Sequence, residues 1–190
     1  MKKFVQTLVL GLGIVTGSYA IAADVYTIDP VHSTLGFSVR HMMVSETLGS
    51  FGQFEGDIVV EPSDISASKT QVTIQAASID TRQDKRDAHL RGADFFDVEK
   101  FPTITFVSKA ITKSGEGYII TGDLTMKGVT KEVAIPVTIT GPVGSVIGLA
   151  GSFTLNRQDY GITYNKTLDQ GGLAVSNDVK VNINIEAKKK

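Results

Sequence analysis

Apolar residues recur at every second position along most of the chain from Gln71 onward. In VTIQAAS, Val72, Ile74 and Ala76 share a side; in PTITFVSKAI, Ile104 and Phe106 do; in IITGDLTMKG, Ile120, Leu124 and Met126 do. EVAIPVTITG places Val133, Ile135, Val137 and Ile139 on one face, and DVKVNINIEA sets Val179, Val181, Ile183 and Ile185 opposite Lys180, Asn182, Asn184 and Glu186. Upstream, STLGFSVRH aligns Leu35, Phe37, Val39 and His41, and FEGDIVVE carries a strand after the glycine-rich LGSFGQF. A period of two is the mark of half-buried antiparallel strands, one side packed and the other wet. Turn-forming clusters punctuate the runs: KSGEG at 113–117, KGVTK at 127–131, GPVGS at 141–145 and DQGGL at 169–173.

About eight strands in succession, with little helix between them, predict an all-β fold, either a sandwich or a closed up-and-down barrel. Closure is favoured because it removes the exposed edges that a cysteine-free β-protein would otherwise have to protect. A barrel of this size is filled by its own side chains or holds one small ligand, and the period does not distinguish these. Pro136, inside a strand pattern, marks an edge, a bulge or a gap in the ladder. One segment departs from the pattern: RDAHLRGADFFDVEKFP at 86–102 is dense in Arg, Asp, His and Phe. It predicts one short helix, with Thr81 as N-cap, Asp84 in the first turn and Gly92 ending it in the left-handed conformation. The apolar side of that helix is little more than Ala88 and Leu90, so it belongs on the barrel surface or across a barrel end.

Composition changes this picture mainly at the N-terminus. Lys2 and Lys3 precede an apolar run from Phe4 to about Val15, and small residues follow at Ala20, Ala22 and Ala23, the arrangement of a secretory signal peptide. Cleavage is expected after Ala22, leaving residues 23–190 as one domain of ordinary size in the periplasm. The 190-residue chain has a net charge of −1, and losing two lysines takes this to −3, which offers nothing to nucleic acid. With no Cys in an oxidising compartment, burial and strand pairing must hold the fold.

The search for chemistry is mostly negative. His32, His41 and His89 lack the helical spacing of a zinc site, and a metal would need carboxylates brought in by the fold. His41-Met42-Met43 sets sulfur beside imidazole, but Met at a strand end is usually packing. Asp29, His32 and Ser33 lie too close together on an extended segment to form a catalytic triad among themselves, and Asp29-Pro30 reads as a turn. Neither a Gly-x-Ser-x-Gly elbow nor a phosphate-binding glycine loop is present. The expectation is a protein without a metal or cofactor and without catalytic activity.

YTIDPVHSTLGFSVRH, GSFGQFEGDI, SIDTRQDKRDAHLRGADFFDVEKFPTITFVS and GYIITGDLTMKGVTKEV together resemble the YceI family, over nearly the whole stretch from Asp24 to the last strand. The common form has Ser where Gly92 stands here. The resemblance implies an exported, eight-stranded antiparallel, lipocalin-like barrel with one short helical crossing segment, whose interior holds a long isoprenoid (a polyprenyl or quinone-type tail). Alternation then nominates Phe37, Val39, Phe54, Phe106, Leu124, Met126 and Phe153 as tunnel lining, with His41 as a polar group near one end. Phe95, Phe96 and Phe101 are expected to pack down, and Arg86, Asp87, His89, Arg91 and Asp94 to tie the crossing segment in place. Arg86, His89 and Arg91 are the alternative candidates for a lipid headgroup. Expected partners are the lipid, a transient membrane or membrane-protein contact, and a second copy of the chain through the barrel mouth or an edge near Pro136. Alternatives from other classes are a filled barrel acting as a stress-response or redox-accessory module, a binder of fatty-acid-like amphiphiles, and, weakest, an enzyme acting on such a lipid.

Overall fold

The computed structural model describes residues 23–167 and 173–190. The expected export signal, its cleavage after Ala22 and most of the 169–173 turn lie outside the described residues. In chain order the strands are β1 Asp24–Ile28, β2 Thr34–His41, β3 Ser45–Phe51, β4 Phe54–Val60, β5 Lys69–Gln75 and β6 Ile79–Asp80; after the helix α1 Asp84–Arg91 come β7 Thr103–Ser114, β8 Gly117–Met126, β9 Val129–Val143, β10 Val146–Asn156 and β11 Val175–Lys189. Apart from Ala76, each alternating run of the sequence is found in one of these strands, and Gly115, Gly128 and Gly144 sit at positive φ in the hairpin turns between β7, β8, β9 and β10.

The order β1-β4-β5-β7-β8-β9-β10-β11 closes into an eight-stranded barrel when β11 pairs back onto β1. All of these pairs are antiparallel, and the other three strands, β2, β3 and β6, extend from β11. The branching follows from the length of β11. Its Ala187–Lys189 end pairs with β1, while Val175 to Asn184 pair on the same flank with β2. The chain steps from β1 to β2 through the Pro30 turn, where Asp29 Oδ1 accepts from the Val31 N–H at 3.0 Å. The barrel is therefore sealed by sheet at the β1 end and continued at the other end by the β2–β3 hairpin and the 81–102 segment.

Pro136 marks a gap in the ladder. It pairs with Ile119 on β8, whereas the β9–β10 register runs only from Val137, opposite Gly151, to Val143. The first half of β9 and the last part of β10 have parted company there, and Tyr160 and Ile162 pack with Val129, Val133, Phe153 and Leu155 in one apolar cluster. A proline that cannot donate to a ladder thus stands where one ladder ends.

The helix forms, with corrected ends. Its N-cap is Gln83, whose side-chain oxygen accepts from the Arg86 N–H at 2.6 Å, because Thr81 is committed elsewhere: its N–H and hydroxyl both donate to the buried Asp87 carboxylate, at 3.0 and 2.5 Å. Gly92 is extended (φ −74°, ψ 175°) rather than left-handed; the left-handed residues of this segment are Arg82, φ 63°, and Asp97, φ 50°.

Candidate functional site

Inward-facing residues do not fill the barrel. At its centre is a cavity of about 160 Å³ with walls built from Ile28, Phe106, Ile120, Leu149, Phe153 and Ile183 among others, all contributed by alternate positions of their strands. A second cavity of about 120 Å³ adjoins it, sharing Phe37, Phe51, Met126, Leu155 and Val181 as walls. A third, of about 250 Å³, shares Phe37, Val39, Leu90, Phe95 and Val175 with the second and reaches His41, Thr47, Arg86, His89 and Lys166. The three share walls in series, the first two lined almost wholly by apolar side chains and the third also by polar ones at the mouth. Along β11 the walls run from Ile185 to Val175, roughly 33 Å of strand and so about 25 Å along the axis of a barrel whose strands tilt by about 40°.

Left empty, an apolar void of about 160 Å³ costs a fold roughly 4 kcal/mol at about 24 cal/mol per Å³. Water gives no relief, because the walls offer it almost no hydrogen-bonding partners. Two glycines help keep the space open. A Cβ on Gly49 would come within 2.7 Å of the Phe37 ring, and one on Gly122 within 2.7 Å of Phe106. Both rings reach bare backbone where a side chain would displace them.

Phe37, Phe106, Leu124, Met126 and Phe153 face the central cavity, Val39 the upper two, and His41 the mouth. Phe54 departs from expectation. Its strand alternates as anticipated, since Ile58 on the same face reaches the cavity, but Phe54 is buried with Tyr26 and Ile28 and borders an outer groove with Pro30 and Gln53. It closes the wall where β1 gives way to β2.

At the mouth, the basic residues of the crossing segment are largely occupied. Arg86 donates from Nε to the Thr81 hydroxyl (2.7 Å) and from Nη2 to the Thr81 carbonyl (2.8 Å), and Arg91 donates to the carbonyls of Ala77 (2.7 Å) and Ile79 (2.8 Å). His89 stands edge-on to Phe95 and Tyr164, with ring centroids 5.0 and 4.9 Å away, and its Nε2 lies 2.9 Å from Asp94. Arg86 and His89 still border the mouth cavity; Arg91 does not. Phe95 is buried and Phe96 meets Phe51 edge-on at 5.7 Å, so the phenylalanines close this end from above.

Sequence reasoning missed the residue that organises the mouth. Arg157 is only 4% exposed and borders the second cavity. Its guanidinium donates to the carbonyls of Ser176 (2.9 Å), Ile162 (2.7 Å) and Tyr164 (2.8 Å) and to the Asn177 amide oxygen (3.3 Å). Burial lowers its pKa from the usual arginine value. Phe51 was missed because LGSFGQF reads as a turn, although it continues the inward parity of Thr47 and Gly49.

At the sealed end, the fold brings Glu186 to Asp29 and His32, with His32 Nδ1 3.0 Å from Asp29 and 3.8 Å from Glu186. Three ligand atoms lie within 4.8 Å of one another there, a set capable of holding a metal ion, but the Lys188 ammonium is 2.5 Å from Asp29 Oδ2 and supplies positive charge at that position. Asp29 is held well below the usual carboxylate range, first by Lys188 and then by His32.

The same barrel occurs in solved proteins. The BcnA protein of Burkholderia cenocepacia superposes with a TM-score of 0.77 at 27% identity, covering 85% of this chain and 99% of its own. The YCEI protein of Campylobacter jejuni does so at 0.68 and 32% identity, covering 80% and 90%. A polyisoprenoid-binding domain from Saccharophagus degradans, implicated in plant cell wall breakdown, shares the fold at 0.69 with 16% identity, covering 87% and 98%. In sequence, the UPF0312 protein of Staphylococcus aureus strain MRSA252 is 40% identical over 167 residues, which is 85% of this chain and 95% of that protein. The YceI-like domain matches residues 26–187, from the strand that closes the barrel to the strand it closes upon, and the chain belongs to that family.

Proposed function

We propose that this protein is a periplasmic binder and carrier of a long isoprenoid lipid, exported with loss of residues 1–22 and working without a cofactor or catalytic step. The observation that carries this reading is the row of three voids that share walls over about 25 Å of the barrel axis, apolar at the centre and polar at the mouth. That row is longer than the roughly 15 Å, half the hydrocarbon core of a bilayer, that a single ordinary acyl tail spans, so such a tail leaves part of it empty. The polyisoprenoid-binding domain from Saccharophagus degradans adds support through its shared fold.

Each methylene buried contributes roughly 0.8 kcal/mol, so about ten contribute about 8, against an association cost of about 4–15 kcal/mol. Short chains barely bind and long ones are retained. The tail occupies the central cavity, and the polar end lies among His41, Thr47, Arg86, His89 and Lys166. Arg91 contributes structure instead, since its N–H groups are spent on Ala77 and Ile79.

Native mass spectrometry of protein recovered from its own periplasm, followed by organic extraction, tests the proposal. A stoichiometric isoprenoid is expected, and Phe106→Asp is expected to fold and to lose it. A clean apo mass with no uptake of offered polyprenyl or quinone lipids overturns the carrier reading.

A further inference from the structure

We propose that the turn joining β2 to β3 is a membrane-docking tip that inserts into a bilayer surface and sets the tunnel mouth against it. The inference rests on the tunnel binding a lipid, which gives such a contact its use. Met42, Met43 and Val44 form the turn, and they are 42%, 62% and 81% exposed. Leu173, 40% exposed, stands next to them, because the Met42 N–H donates to the carbonyl of Ala174 at 2.8 Å. Scattered exposed apolar residues need no explanation, but three in succession at a hairpin tip do.

Two further features point to a bilayer. Met42 and Met43 both adopt left-handed backbone, φ 51° and 62°, a conformation that asparagine or glycine holds more easily than a long side chain does. The turn therefore carries bulky apolar groups where its own backbone favours other residues. The tip also adjoins the tunnel: His41 precedes it, and Ala174, which binds it, donates its N–H to Lys166 at 2.9 Å; all three border the mouth cavity. A lipid leaving a bilayer at this tip enters the apolar passage without crossing open water.

The chemistry fits a fluid apolar medium better than a protein surface. Flexible methionines on a protruding wedge insert among acyl chains without a complementary pocket, at the shallow depth expected of an interfacial anchor. Cations flank the tip as headgroup contacts: Arg40 on β2 lies 3.9 Å from Glu46, and Lys166 borders the mouth cavity.

The test compares the periplasm-exported protein with a Met42→Asn/Met43→Gly/Val44→Ser variant, in which the first two changes supply residues the turn backbone prefers, so that folding is preserved. Both are sedimented with vesicles of phosphatidylcholine and phosphatidylglycerol, and both are offered a fluorescent isoprenoid from vesicles or from cyclodextrin. Wild type is expected to bind the vesicles, and the variant to lose roughly tenfold in partitioning for each apolar side chain withdrawn. Uptake from cyclodextrin should be equal in the two, and uptake from vesicles slower in the variant. Vesicle binding that is absent from wild type, or equal in both, overturns the proposal. So does a tip-dependent dimer, seen by sedimentation equilibrium, that binds no vesicles. Vesicle binding lost in the variant, with no isoprenoid taken up from either source, sustains the docking tip and sinks the carrier reading instead.

Discussion

The two ends of the barrel are held by different physics. At the sealed end β11 pairs onto β1, and exposed ion pairs decorate the seam: Lys188 with Asp29, Lys189 with Asp24 and Lys190 with Asp57. At the mouth, sheet pairing runs out, and the backbone is gathered by polar side chains, of which Arg157 and Asp87 are buried. Arg157 binds three carbonyls and an amide oxygen, Asp87 accepts twice from Thr81, Arg86 donates to the Thr81 carbonyl, and Arg91 donates to those of Ala77 and Ile79. The lesson is that a sheet seals an end by excluding space, whereas a side-chain scaffold closes one while leaving room beneath it. The largest losses on mutation should therefore come from the mouth, although the sealed end has more visible salt bridges.

Arg157→Ala gives the largest expected effect. Hydrogen bonds from a charged donor are worth about 1.5–3 kcal/mol each, and carbonyls left unpaired in a buried site add a penalty, so a loss of roughly 4 kcal/mol or more in urea unfolding is expected. Arg157→Lys should recover little of it, because one ammonium cannot reproduce a planar fork spread over four acceptors. Recovery of most of the stability by lysine would show that charge, not geometry, organises the mouth. Asp87→Ala comes next, at about 2–3 kcal/mol, since it strands the Thr81 N–H and hydroxyl in a site where Asp87 is 5% exposed.

Tyr160→Phe sharpens the comparison in the opposite direction. The Tyr160 hydroxyl is buried without a hydrogen-bond partner, and burial, with Asp159 nearby, pushes its pKa up to about 12. An unfolded tyrosine ionises near pH 10. The folded state therefore keeps its full advantage below about pH 10 and loses it as the pH rises toward about 12, because only the unfolded chain can release this proton readily. Removing the hydroxyl should raise stability by about 1 kcal/mol at neutral pH and flatten the alkaline fall. Unchanged stability at both pH values would mean that the hydroxyl is satisfied in solution.

These contrasts explain which parts of the molecule were legible in the sequence. The strands were, since Val179, Val181, Ile183 and Ile185 can share a face only in extended chain, and the barrel strands turn one side inward. The wall residues followed from the same parity, as Phe106 and Leu124 do. Phe54 obeyed parity and still missed the cavity, because alternation fixes a face and not a height along the barrel axis. The hollow itself was not legible: apolar inward faces look alike whether they meet or stand apart, and only the family resemblance pointed to a ligand. Arg157 was invisible for a stronger reason. A lone arginine reads as surface, and its acceptors are backbone carbonyls, which leave no trace in side-chain pattern. Thr81 and Asp87 misled in a similar way, since a threonine before a helix reads as a cap until its partner is known.

Asp29→Asn should have the smallest effect, confined to acid. In the folded protein the Asp29 carboxyl is held far below its usual range, chiefly by the Lys188 ammonium and then by His32, while in the unfolded chain it titrates near pH 3.9. Its contribution is therefore complete above the unfolded value and drains away as the pH falls below about 4, when the unfolded chain takes up a proton that the folded one resists. Asp57, lowered by Lys190 and Thr27, adds to the same limb. Asparagine at position 29 keeps an acceptor for the Val31 N–H but cannot carry the charge, so the variant should match wild type closely at pH 7 in salt and show a shallower decline in melting temperature toward acid. These pairs are exposed on the lysine side, and salt screens them, so the difference should shrink further as ionic strength rises. A large loss at pH 7 would reverse the contrast between the two ends, making the ion pairs rather than the β1–β11 ladder the seal of the closed one.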